Sequence, residues 1–221
     1  GTYNETIDFG GVDVILMGNT SDPSQVVING TGGTVVTFNS GETSGAELNG
    51  FTITNGSGTN TDLSGNGLFN PNSNYGGGIY CVGASPTLNN LIISGNTSSQ
   101  VGRNGGNGGG IYFGNGSNVS ISNSTIQNNT TDLYRGGGIC VDNSTLTMDN
   151  VTISNNNGGN YGGGISAWNS TLTMTDVTIS GNSVSGNNGL GGGIFIIGST
   201  QTLTNVSVFG NTSTGPGTGA Y

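Results

Sequence analysis

The chain has no lysine and no histidine; its two arginines are outweighed by acids to a formal net charge of -9, and only 6% of residues are charged. No basic patch can form against phosphates, which excludes nucleic acid as a partner. An acidic chain is likewise repelled by anionic lipid surfaces. No apolar run is long enough to span a bilayer, so direct membrane insertion is excluded. No secretory leader pattern is present either, and any export signal or anchor is expected to have been removed or to lie outside this sequence. Glycine, asparagine, serine and threonine dominate, a composition that signals disorder in a chain without internal order. Together these features point to an extracellular or cell-surface protein.

What is present is a repeat. A glycine triplet followed by isoleucine is written five times, opening at Gly76, Gly108, Gly136, Gly162 and Gly191, a period of roughly 26 to 32 residues. That is the range of stacked architectures, in which one unit buries its apolar face only against its neighbours. The blocks align best at their ends: Asn150-Val151-Thr152-Ile153-Ser154 matches Asp176-Val177-Thr178-Ile179-Ser180 and Asn205-Val206-Ser207-Val208. Upstream lie alternating strands such as Thr145-Leu146-Thr147-Met148, and each triplet opens a third, as in Gly138-Ile139-Cys140-Val141. Three short strands of period two, joined by Gly/Asn/Ser turns, read as one coil of a parallel β-helix.

Alternation assigns faces, because successive strand side chains point to opposite sides. The inward columns are Ile79, Ile111, Ile139, Ile165 and Ile194; Leu88, Ile121, Met148, Met174 and Leu203; and Ile93, Ile126, Ile153, Ile179 and Val208. They are the expected core. Two turn columns, Asn90/Asn123/Asn150/Asp176/Asn205 and Asn96/Asn129/Asn156/Asn182/Asn211, read as ladders that bond along the axis and tolerate left-handed backbone. Residues 1–56 carry the same pattern as two degenerate coils, 57–75 read as an insertion loop, and 76–221 as five clear coils of one domain. Cys81 falls inward and Cys140 outward, two coils or about 10 Å apart, so no intrachain disulfide is expected.

Gly1-Thr2-Tyr3-Asn4-Glu5, the run Asn49-Gly50-Phe51-Thr52-Ile53-Thr54-Asn55-Gly56, the stretch Gly76-Gly77-Gly78-Ile79-Tyr80-Cys81 and the Asn-Val-Thr-Ile-Ser ends resemble the parallel β-helix repeat proteins of the pectin-lyase-like superfamily. The resemblance covers nearly the whole chain and is closest to the non-catalytic branch: secreted microbial surface proteins and polymorphic outer-membrane protein repeats. It implies an all-β, right-handed parallel β-helix of about seven coils with three short strands each. The fold hosts lyases, hydrolases, adhesins and fibre subunits, so function must be argued from residues.

Catalysis in that superfamily draws on acidic calcium ligands with a basic residue, or on paired aspartates with His, Arg and Lys. Here Arg103 and Arg135 are the only cations, and Asp132 beside Arg135 reads as a loop ion pair. Asp142, Asp149 and Asp176 are scattered over strand and turn positions. With no facing carboxylate pair and no nonapeptide calcium repeat, no catalytic residue, metal ligand or cofactor is assigned and no enzymatic activity is expected.

The surface offers two candidates. Tyr80, Tyr112 and Phe195 point outward from the triplet strands, with Trp168 in the next outward column and Tyr75, Tyr134 and Tyr161 in the loops before the triplets. They form an aromatic strip for sugar stacking or lateral contact, unless neighbouring loops fold over them. Thr145, Thr147, Thr171, Thr173, Thr200 and Thr202 form two outward hydroxyl columns that resemble the ice-contacting faces of β-helical antifreeze proteins, although threonine is also an ordinary solvent-facing strand residue. Asn143 and Asn169 stand out among about fifteen glycosylation acceptor sequences. The expected function is a non-enzymatic structural or adhesive module; carbohydrate binding or processing and ice binding are alternatives. The implied partners are extracellular glycans or further copies of the chain stacked head to tail, because a β-helix end leaves unpaired strands.

Overall fold

The computed structural model describes residues 1–61, 73–99, 106–187 and 189–215. They wind as a β-solenoid of about seven turns whose strands stack in parallel register on their counterparts one coil away. Among the described residues there is no α-helix, only a 3-10 turn at Pro23–Gln25. The inward columns meet in register, for instance Leu88 on Ile121 and Ile121 on Met148, and are buried in every coil but the last, where only Ile194 of the three stays buried. There Leu203 is 52% exposed and Val208 half-buried, because no further coil covers them among the described residues.

Each regular coil holds three strands, but not the three expected. The second and third run together as one bent strand of ten residues, such as Thr145–Ser154 and Thr171–Ser180. The bend falls at the first asparagine column, where Asn150 takes φ 53 and Asp176 φ 53 while the ladder continues on both sides. The third strand is a two-residue piece past the second column, such as Asn157–Gly158 and Ser183–Val184, which forms its own five-stranded sheet. The triplet strands, Ile79–Val82 through Ile194–Ile197, complete the coil in a seven-stranded sheet.

The two asparagine columns prove to be different devices. The first is left-handed and bonds along the axis as expected, Asn150 Nδ2 donating to Asn123 Oδ1 at 3.0 Å; the second is buried on ordinary backbone, and the positive φ there belongs to the residue before it, such as Asn128, Asn155 or Gly181. In this buried ladder Asn129 Nδ2 donates to Asn156 Oδ1 and Asn156 Nδ2 to Asn182 Oδ1, each at 3.0 Å. The same Oδ1 atoms accept the backbone N–H of Asn129 and Asn156, and the second amide proton of Asn156 reaches the Ile126 carbonyl. Every polar atom of such a side chain has a partner, which is what permits its burial.

The glycine triplets wrap around that ladder. A Cβ on Gly163 would lie 2.3 Å from the Gly192 carbonyl oxygen of the next coil, and one on Gly164 would lie 3.1 Å from Asn182 Nδ2. Backbone from adjacent coils is therefore packed where a side chain would stand. The insertion expected over 57–75 leaves through an antiparallel pair, Thr59–Asn60 with Asn74–Tyr75, and its middle lies outside the described residues. In the regular coils the long loops leave at this corner, between the short strand and the triplet, and the turn from triplet strand to long strand is as brief as Asn143-Ser144 or Asn169-Ser170; nearer the first coil, residues 18–26 and 39–46 leave elsewhere.

Candidate functional site

The residues just before successive triplets, Tyr75, Asn107, Arg135, Tyr161 and Leu190, pair with one another along the axis. This column sets their side chains over the outward positions of the triplet strands: Tyr80, Tyr112, Cys140, Ser166 and Phe195, which are themselves in register. Tyr75 meets Tyr112 edge-on at 4.8 Å, and Tyr80 stacks on Tyr112 at 6.0 Å. Farther along, Tyr161 contacts Phe195 at 4.8 Å, Trp168 at 6.0 Å and Tyr134 at 6.3 Å.

The expected strip is thus a two-layer ridge. Tyr80, Tyr112 and Phe195 are 4%, 3% and 1% exposed, so the loops close over them and they offer no face to a ligand. Tyr134, Tyr161 and Trp168 form the upper layer and remain half-exposed. Cys140 packs in a buried cluster with Tyr80 and Tyr112, against which Tyr75 lies, and is free, as is Cys81 in the core. Burial pushes both thiols up to about 12, which keeps them protonated and unreactive at neutral pH.

Arg135 lies at the centre of the ridge. Its guanidinium carbon sits 4.0 Å from the Trp168 ring centre and 4.7 Å from that of Tyr134, a cation held between two π faces. The loop ion pair with Asp132 does not form. Arg135 instead reaches Asp142 at 3.9 Å, while Asp132 accepts the Gly106 N–H from the preceding coil. The reason is alternation: Asp142 shares the outward face with Cys140 and is in register with Trp168, so it lies under Arg135. Burial raises Asp142 above the usual carboxylate range and Arg135 only partly opposes it. Burial also disfavours the Arg135 charge, yet Cys140, Tyr134 and Asp142 outweigh that and hold its value above normal. Arg103 lies outside the described residues.

Beside the ridge the loops of three coils step down into a groove of about 530 Å³, lined by Asp132, Leu133, Asn160, Tyr161, Ser185, Gly186 and Asn187. The steps are hydrogen-bonded: Asn160 Nδ2 donates to the Leu133 carbonyl at 2.7 Å and Gly186 N to that of Gly159 at 2.7 Å. An aromatic edge next to carboxylate, amide and hydroxyl groups suits a polyhydroxylated ligand. Sequence reasoning named Tyr161 but missed the groove, because the other lining residues belong to loops of unequal length.

The hydroxyl columns are in register, Thr145 on Thr171 on Thr200 and Thr147 on Thr173 on Thr202, with Thr171 and Thr200 Oγ1 3.3 Å apart. A further outward hydroxyl column, Thr125, Thr152, Thr178 and Ser207, lies on the other side of the bend. The same alternation, applied to the Asn-Val-Thr-Ile-Ser block, could have found it. Two acids are set into this sheet: Asp149, in register with Thr175, and Glu47, which stands in the Thr147 and Thr173 column through Thr87 and Ser120. Asp176 instead occupies the turn column and accepts from Asn205 Nδ2.

Asn143 and Asn169 are exposed corner residues at φ 48, whereas Asn96, Asn129 and Asn211, which also fit the acceptor sequence, are sealed in the buried ladder. Among the described residues no group of His, Cys, Asp and Glu is placed to hold a metal ion, and no helix is long and apolar enough to cross a membrane.

A family model described as a right-handed β-helix region matches residues 24–220. No curated protein and no solved structure matches the chain.

Proposed function

The chain belongs to the right-handed β-helix family, and from that premise we propose that it is an extracellular structural or adhesive module that acts through its surface and not through a catalytic centre. One observation carries this reading. Arg135, the single cationic side chain among the described residues, is clamped between Trp168, Tyr134 and Asp142, so it acts as a packing element of the ridge. Adhesion then falls to the half-exposed upper layer and the adjoining groove, where Tyr161 offers ring surface beside Asp132, Asn160 and Asn187. Loss of one stacking ring typically removes about 1 kcal/mol, so Tyr161→Ala is expected to cut retention on a glycan array several-fold, with Tyr3→Ala unchanged. Equal retention by both variants would discard the groove as the adhesive site.

A second reading is supported by the hydroxyl columns, threonine-rich and in register on both sides of the bend, on a sheet from which the long loops of the regular coils do not leave. An ordered array of hydroxyls and methyls in in-register columns is suited to contact with ice. Inhibition of ice recrystallisation should then be measurable and should collapse in the double variant Thr147→Lys, Thr173→Lys. A wild-type chain without inhibition removes this reading.

A further inference from the structure

Away from the two end coils, one large hydrophobic side chain is exposed among the described residues: Leu133, at 45%. It lines the groove together with Tyr161. The groove is built from loop residues of three successive coils, Asp132 and Leu133 in one, Asn160 and Tyr161 in the next and Ser185 to Asn187 in the third, so like positions recur along the axis at about the 4.8 Å strand spacing. Its hydrogen-bonding capacity is one-sided. The backbone N–H groups of Asn160 and Tyr161 both donate to the Tyr134 carbonyl, at 2.8 and 3.0 Å, and those of Ser185 and Gly186 donate to the Gly158 and Gly159 carbonyls, at 3.2 and 2.7 Å. Asn160 Nδ2 is likewise engaged by the Leu133 carbonyl. These donors are taken by the preceding coil. The one charged side chain on the lining is the Asp132 carboxylate, and the single cationic side chain among the described residues, Arg135, is held between the Trp168 and Tyr134 rings.

We propose that this groove takes a short stretch of a neutral glycan, lying along the coil axis with its hydroxyls as donors, and rejects glycans that carry a carboxylate or sulfate on every unit. The proposal rests on the groove being the adhesive site and names its ligand class. A neutral sugar ring turns an apolar C–H face to Leu133 and Tyr161 and brings hydroxyls that donate to the oxygens of Asp132, Ser185 and Asn187. An acidic ring brings an anion instead. The backbone donors of the groove steps are already engaged and no cationic side chain lines them, so that anion would lose water without gaining a partner and would stand beside a second carboxylate. A chain with an anion on every ring cannot turn all of them away from the lining. The overall charge of -9 also repels polyanions, but that repulsion acts through solvent and is screened within about 3 Å at about 1 M salt, whereas the missing partner inside the groove stays missing.

The test measures retention of the 221-residue chain on two immobilised panels of equal chain length, neutral oligomers of glucose, mannose, xylose and N-acetylglucosamine, and acidic oligomers from pectin, alginate and sulfated galactan, at about 0.15 M and about 1 M salt. Wild type is compared with Tyr161→Ala and Ser185→Lys, with unchanged circular dichroism as the check on folding. Ser185 is exposed on a loop, so lysine there sets a cation on the groove without entering the core. Wild type is expected to hold at least one neutral series, and to hold every acidic series about tenfold more weakly at both salt levels. Tyr161→Ala should lose the neutral retention. Ser185→Lys should keep it and gain acidic retention several-fold at the lower salt. Equal retention of neutral and acidic series by wild type, a preference that vanishes at the higher salt, or a folded Ser185→Lys with no acidic gain overturns the proposal. Equal retention that Tyr161→Ala abolishes leaves the groove standing as the adhesive site while the selectivity fails. Retention of neither panel, or retention indifferent to Tyr161, removes the groove reading and this proposal with it.

Discussion

Asn150 and Asn156 are the same residue type six positions apart, and the fold uses them in opposite ways. Asn150 is exposed, supplies a left-handed corner and donates to Asn123 of the neighbouring coil; Asn156 is buried and bonds Asn129 and Ile126 of one neighbouring coil and Asn182 of the other. Asp142 shows what burial does to a residue without such full satisfaction. Its contact with Arg135 is long, at 3.9 Å, and burial prevails, so its folded value lies above the ordinary 3.8. An acid raised in this way binds its proton more readily folded than unfolded. Its charge therefore costs stability at neutral pH, and the cost fades as pH falls through the raised value towards 3.8. Asp142→Asn is expected to melt above wild type at pH 7, with the difference gone at about pH 3, below the ordinary range for a carboxylate. A variant that melts lower at pH 7 would show that the Arg135 contact outweighs burial.

At the scale of elements, the triplet and the buried ladder form one joint. Gly163 is hemmed by backbone of two neighbouring segments, its missing Cβ 2.3 Å from the Gly192 oxygen and 2.4 Å from that of Ser183. Gly116 has no atom within 4 Å of such a Cβ, although its φ is +78. Denaturant titration should therefore separate them: Gly163→Ala loses about 2 kcal/mol or more through overpacking, Gly116→Ala about 1 kcal/mol through backbone strain alone. Equal losses would mean that the triplet is kept for conformation and not for close approach. The core columns, the facing of both cysteines and the threonine register were legible because they depend only on period and alternation. Less legible was the choice between one bent strand and two, since Asn150 turns the chain without interrupting the pairing on either side. The Arg135–Asp142 pair was hidden for a related reason: adjacency in sequence favoured Asp132, while the outward face selected Asp142. The groove required knowing how three loops of different length settle on each other.

For the whole molecule, the long loops of the regular coils leave one corner, the long sheet carries hydroxyl columns on both sides of its bend, and most of the exposed large apolar side chains lie in the end coils. This layout separates three surfaces, a loop ridge, a hydroxyl face and the end coils, and none of them demands chemistry from the buried groups of the ridge. The central claim is that the ridge is a packed support for surface contacts and not a catalytic centre. Its most direct test is to incubate the repurified chain and Arg135→Ala with pectin, alginate and related polyanions, following reducing ends and unsaturated products. The account predicts no turnover by either protein and a lower melting temperature for the variant. Turnover by the wild-type chain that survives repurification and disappears in a folded Arg135→Ala would contradict it.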